Sequence, residues 1–222
     1  MLAEGTYGVR RALADSGLAL GEIEFLAGWA RGADSVDLDT VDVLVDLARE
    51  FSPHHVTAGE FGAEPVDPRK AAGVLSGLAD RFGEHGTLVA VEQFPWSGLR
   101  LTSTIAAVLD GCDAGVGAML DVWHHRNSGA TRRDLDLLAG RIVAVQLNDG
   151  IAVTGDFLAQ ARAARRLPGE GDLDVVQLVS DLNTIGFDGA WCVEASDEAL
   201  RSDALARSAR RAYDAAGAVL ES

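Results

Sequence analysis

Short aliphatic runs alternate along this chain with longer stretches in which apolar positions return every three or four residues. The first run, Ile23-Glu24-Phe25-Leu26, is followed over residues 38–51 by Leu38, Val41, Leu44, Val45, Leu47 and Ala48 at helical spacing. A second run, His55-Val56-Thr57-Ala58-Gly59, precedes a helical pattern from Pro68 to Phe82, with proline at a position that favours a helix start. The same reading predicts strands over 87–94, 116–123, 142–147 and 190–193. It predicts helices over 102–109, around 132–138, over 173–185 and from 198 to about 220, with 148–171 left irregular. Strands alternating with helices imply βαβ units and a parallel sheet. No linker or change of composition divides the chain, so residues 1–222 read as one α/β domain. No glycine-rich nucleotide loop follows the first strand, which favours a (β/α)8 barrel over a doubly wound sheet.

Four predicted strands end alike: Ala90-Val91-Glu92, Met119-Leu120-Asp121, Ala144-Val145-Gln146 and Cys192-Val193-Glu194. Side chains alternate faces along a strand, so each polar residue shares a face with the residue two before it. In a parallel barrel the outer face packs on helices, which assigns Val91, Leu120, Val145 and Val193 outward. Glu92, Asp121, Gln146 and Glu194 then point inward at the carboxyl ends. Three converging carboxylates cannot all stay ionised without a cation. This donor set suits Mn²⁺, Mg²⁺ or Co²⁺, with Zn²⁺ a further option. His124 follows Asp121 by three, so it is expected past the strand end, leaning over the metal as a substrate contact or proton-transfer group. His125 reads as a surface residue.

Composition narrows the partners. The formal net charge is −15, so a phosphate backbone would be repelled and a nucleic-acid partner is not expected. No apolar run reaches the ~20 residues of a membrane span, and the first five residues lack the features of a signal peptide. The expected location is the cytoplasm. The two cysteines, Cys112 and Cys192, are expected as reduced thiols.

On these residues the chain resembles the sugar phosphate isomerase/epimerase superfamily, the xylose isomerase-like TIM barrels that include ketose 3-epimerases. The resemblance is carried by Val91-Glu92-Gln93-Phe94-Pro95-Trp96, Leu120-Asp121-Val122-Trp123-His124 and Val145-Gln146-Leu147-Asn148-Asp149. It extends over residues 165–172 and 186–194. It implies that Glu92, Asp121 and Glu194 are metal ligands, with Glu92 and Glu194 carrying protons and His124 contacting substrate. It aligns Arg165 with a substrate-contacting arginine, with Arg166 close by. Gln146 sits where many members have histidine, and the 3-dehydroshikimate dehydratase branch has glutamine there. The implied activity is metal-dependent isomerisation or epimerisation of a small sugar or polyol-like carbonyl compound. A dehydratase, or a relic that binds metal or sugar without turnover, are the alternatives. An endonuclease IV-like activity is disfavoured by five histidines in all and by the acidic charge.

Relative to the family the chain is short at its amino end. Six strands are counted instead of eight, and residues 1–16, with Val9, Ala12 and Leu13 on one face, read as the helix before the family's third strand. An open barrel exposes sheet edges, and closure by a partner subunit, as in a homo-oligomer, is one expectation beside a truncation or a start-site error. Weaker expectations place Arg126 on an anionic substrate group, and Trp96 and Trp29 either on the pocket wall or packed under a loop. Asn148 and Asp149 are expected to orient Gln146 or turn the chain, and Glu60 to lie in a solvated loop.

Overall fold

The structure, a computed structural model, describes residues 2–222. Helix α1 (Leu2–Ser16) precedes strand β1 (Glu22–Leu26). There follow α2 (Leu38–Phe51), β2 (His55–Ala58), α3 (Pro68–Gly83), β3 (Leu88–Glu92), α4 (Thr102–Leu109) and β4 (Val116–Asp121). Next come α5 (Val122–Asn127), α6 (Arg132–Asp136), β5 (Ile142–Leu147), α7 (Phe157–Ala163), α8 (Val175–Thr184), β6 (Ala190–Val193), α9 (Glu198–Ser202) and α10 (Leu205–Leu220). The expected helix at 1–16 is present apart from Met1, which lies outside the described residues. Val9 and Ala12 on it are exposed and Leu13 is half-buried, so its apolar positions build little core.

All six strands are parallel and pair in chain order. The sheet curls. A flat sheet would hold β1 about 19 Å from β5 at ~4.8 Å per strand. Yet Gln146 Nε2 on β5 lies 3.3 Å from Glu24 Oε1 on β1, and Cys192 Sγ on β6 lies 4.0 Å from Glu22 Oε2. These contacts cross the interior of a half-barrel, whose edges are β1 and β6. Both cysteines are free.

The alternation along each strand sorts the core. Val89 and Val91 join the outer cluster that packs on α2, α3 and α4, and Leu120 and Val145 join the cluster beneath α8 and α10. Ala90, Met119 and Ala144 form a separate inner cluster of small and flexible side chains. Small residues there leave room above them for the strand-end groups.

Several boundaries differ from the expectation, each for a local reason. The fourth strand stops at Asp121, not Trp123, because the Asp121 side chain accepts the His124 N–H at 2.7 Å and caps α5. Helix α7 arises in the stretch expected to be irregular, capped by Asp156, which accepts the Ala159 N–H at 3.0 Å. The last helix is broken at Asp203, whose extended backbone turns the chain while its carboxylate accepts the Ala204 N–H at 2.8 Å. Two short 3₁₀ turns, Trp29–Arg31 and Ala33–Ser35, follow β1. No helix among the described residues is long and apolar enough to cross a membrane.

Candidate metal centre

The strand ends converge as their parity requires. Glu92 closes β3, Asp121 closes β4, Gln146 stands next to last on β5 with Asp121 as its register partner, and Glu194 follows β6. Glu92, Asp121 and Gln146 are buried and Glu194 is half-buried. Glu92, Asp121 and His124 offer ligand atoms that all lie within 4.8 Å of one another, a buried group able to hold a metal ion. His124 was expected above such a site; as the third residue of α5 it enters the cluster, with Nε2 3.5 Å from Glu92 Oε1.

Crowding of acids in a buried place sets the electrostatics. Burial, with Asp121 and Glu194 nearby, holds the Glu92 carboxyl well above the usual carboxylate range. Burial lifts Asp121 too, although Arg165, the His124 N–H and Asn148 oppose it. Glu194 is pushed up to about 7 by burial and by Asp121. Burial and the Arg165 charge keep His124 well below its usual value, as a neutral imidazole. Without a cation this arrangement is electrostatically costly. Arg165 supplies one: its guanidinium pairs with Asp121 at 3.2 Å and with Glu194, while its Nε donates to Ala161 O at 2.9 Å. Arg166 points away, its side chain on Glu170 O.

Two orphaned atoms test whether a metal fits. Gln146 Oε1 and His124 Nδ1 are buried with no hydrogen-bond partner among the described residues. A buried carbonyl without a donor is costly, and a divalent cation is the partner that hard oxygen donors accept. The buried group of Glu92, Asp121 and His124 could therefore hold a divalent ion.

A cleft of about 260 Å³ opens onto the cluster, lined by Glu24, Glu92, Glu194, His124, Arg165 and an aromatic wall. Phe61, Phe94 and Trp96 stack nearly parallel, at 5.3 and 5.0 Å between centroids, and Phe94 and Trp96 meet the His124 ring edge-on. Gly59 permits the wall: a Cβ there would lie 2.7 Å from both Phe25 and Phe94. Trp96 thus stands where it was expected. Glu24, Phe61 and Arg162, also in the lining, were missed. Glu24 had a signal, since Glu22 and Glu24 alternate on the inward face of β1. Arg162 had none, because α7 was not foreseen.

Other expectations are corrected. Arg126 does not line the cleft; its Nε donates to Leu173 O at 3.1 Å and its NH2 to Asp174 O at 3.3 Å, tying α5 to the loop before α8. Arg126→Leu is therefore expected to lower stability by about 1–2 kcal/mol, roughly the worth of its hydrogen bonds, and to leave metal affinity unchanged. Paired melting and metal-titration curves check this. Trp29 is a core residue, completely buried, not a pocket wall. His125 is buried, not on the surface, because α5 turns residues 122–125 inward; burial and Arg126 lower its pKa to about 4. Glu60 is also buried, held by Arg31 at 3.4 Å and by the Gly62 N–H. Asn148 orients Asp121, not Gln146: Nδ2 donates to Asp121 Oδ2 at 2.5 Å while Oδ1 accepts the Trp123 N–H at 2.8 Å. Asp149 ties a loop, accepting the N–H groups of Gly150, Gly169 and Leu173.

Residues 6–216 match the family described as xylose isomerase-like TIM barrel. The chain belongs to that family. A 3-dehydroshikimate dehydratase of Pseudomonas aeruginosa is 26% identical over 204 residues, covering 87% of this chain and 32% of that protein. Among solved structures, a xylose isomerase-like TIM barrel/4-hydroxyphenylpyruvate dioxygenase fusion protein superposes with a TM-score of 0.83 at 21% identity, over 94% of this chain and 35% of that one. An L-ribulose 3-epimerase superposes with a TM-score of 0.71 at 20% identity, over 95% of this chain and 78% of that one. The chain thus spans about a third of the length of the curated relative it matches.

Proposed function

We propose that this family member is a divalent-metal-dependent dehydratase acting on a small polyol-like carbonyl compound of the 3-dehydroshikimate type. The observation that carries the reading is the buried group of Glu92, Asp121 and His124, able to hold a metal ion, with the orphaned Gln146 carbonyl oxygen as a further oxygen donor. The likeness to a dehydratase over 87% of the chain supports the choice of reaction. Glu92, Asp121, Gln146 and Glu194 would hold the ion, with Mn²⁺, Mg²⁺ or Co²⁺ suited to hard oxygen donors. When bound, the ion supplies Lewis-acid polarisation of the substrate carbonyl and fixes its orientation.

The chain's own groups then move protons. Glu194, ionised as a ligand and lining the cleft, takes the proton from the carbon alpha to the carbonyl. The electron pair of that C–H bond forms the new carbon–carbon double bond, and the beta hydroxyl departs with its bonding pair. His124, a neutral imidazole beside Glu92, relays a proton from the open cleft to this hydroxyl, which leaves as water. Arg165 and Trp96 bound the cleft and position the substrate. The proton on Glu194 returns to solvent through the open cleft.

Epimerisation is the second reading, favoured by Glu92 and Glu194 both lining the cleft, where the second would return a proton instead of expelling water. Incubating Mn²⁺-loaded protein with 3-dehydroshikimate and following the absorbance of the aromatic product separates them. A rising signal is expected. Silence there, with deuterium incorporated from D₂O into a ketose and no loss of water, overturns the dehydratase reading.

Metal binding should also depend on pH. Glu194 is largely protonated below its value of about 7, whereas a ligand must be ionised. Apparent Mn²⁺ affinity is expected to rise from pH 5.5 to about 7.5 and then level off. Calorimetry in buffers of different ionisation heat should register protons released on binding at low pH and fewer at high pH.

A further inference from the structure

We propose that Glu24 is a positioning residue for Gln146, holding the donor end of its side-chain amide so that the carbonyl oxygen is the end presented to the carboxylate cluster. This rests on the metal-binding reading above and adds to it a residue outside the ligand set.

The two ends of a glutamine amide have nearly the same shape, and hydrogen bonds decide which end points where. Left to itself beside Glu92, Asp121 and Glu194, the amide would turn its NH₂ toward the acids. The donor end would then be spent on carboxylates, and no oxygen would face a cation. The structure has the reverse arrangement. Nε2 lies 3.3 Å from Glu24 Oε1, and Oε1 of Gln146 is the buried end without a partner. An ionised carboxylate can only accept, so Glu24 holds the NH₂ and rejects the carbonyl. Turning the amide over would set oxygen against oxygen. Gln146 is buried in a strand paired on both sides, with Asp121 and Cys192 as register partners, so its backbone is fixed. Glu24 reaches it from β1 across the interior, so the device exists only because the sheet curls.

The test is Mn²⁺ affinity of the full chain after metal removal, measured by calorimetry alongside melting curves. Glu24→Met keeps the length of the side chain and removes the acceptor. It is expected to weaken Mn²⁺ binding about tenfold to a hundredfold, the range usual for partners that orient ligands. Glu24→Gln keeps an oxygen that accepts from Gln146 but removes the charge, and is expected to stay within about threefold of wild type, a change of ~0.6 kcal/mol. In a Gln146→Ala background the Glu24→Met loss should vanish. The proposal is overturned if Glu24→Met binds normally. It also fails if Glu24→Gln is as weak as Glu24→Met, since charge would then be the cause. An equal loss in the Gln146→Ala background likewise overturns it. A wild-type chain that binds no divalent ion defeats the metal reading itself, a result separable from the other three.

Discussion

Glu194→Gln is expected to abolish retention of a divalent ion and to remove turnover with it. The substitution keeps the shape and takes away one of three converging charges. It also leaves Arg165, which pairs with both Glu194 and Asp121, with one strong partner. Partners that merely orient a ligand are worth about 10–100-fold in metal affinity, so loss of an ionised donor should exceed ~100-fold. The same carboxylate is assigned as the proton acceptor, a role worth about 10²–10⁴ in rate. Without metal, the variant should fold at least as well as wild type, because it removes a charge that burial penalises. Metal analysis, melting curves and product formation on one preparation check the three parts. Retained metal with normal activity would remove Glu194 from the site.

Asp149→Ala is expected to produce the largest loss of stability. Its buried carboxylate accepts three backbone N–H groups, from Gly150 at 2.8 Å, Gly169 at 3.1 Å and Leu173 at 3.0 Å. Its backbone also exchanges hydrogen bonds with Arg166, so it anchors the stretch that carries Arg165 into the cluster. Hydrogen bonds to a charged group are worth about 1.5–3 kcal/mol each, and alanine would leave several donors unpaired. A loss of about 3–5 kcal/mol follows, or about 6–20 °C in melting temperature for a chain of this size. There is no room for rearrangement close by: a Cβ on Gly171 would lie 2.3 Å from Gly150 O and 2.5 Å from Asp149 Oδ1. Asp149→Asn, which keeps one acceptor oxygen, should lose less. A melting temperature within 2 °C of wild type for the alanine variant would remove this anchoring role.

Much of the fold is legible in the chain because each strand and helix carries its own period. Pro68 after the capping Asp67, the aliphatic runs and the helical spacing of Leu38 to Ala48 are local signals, and tertiary packing does not contradict them. Where the signal is weak, the sequence misleads. The run from 116 to 123 looks like one strand because Val122 and Trp123 are apolar, and only the capping bond from Asp121 to the His124 N–H ends it early. The buried His125 and Glu60 read as surface residues because their chemistry is polar, and burial depends on what packs above them.

The candidate site divides in the same way. The sequence by itself determined the family's fold and the inward side of Glu92, Asp121, Gln146 and Glu194, because parity along a strand is a local property of the backbone. Only the tertiary structure decided which groups meet. It brought His124 to within 3.5 Å of Glu92, placed Arg165 between Asp121 and Glu194, and turned Arg126 away to the loop before α8. It also carried Glu24 across the interior to Gln146, 122 positions along the chain. Distances of that kind depend on how far the sheet curls, and no short stretch of sequence encodes the curl.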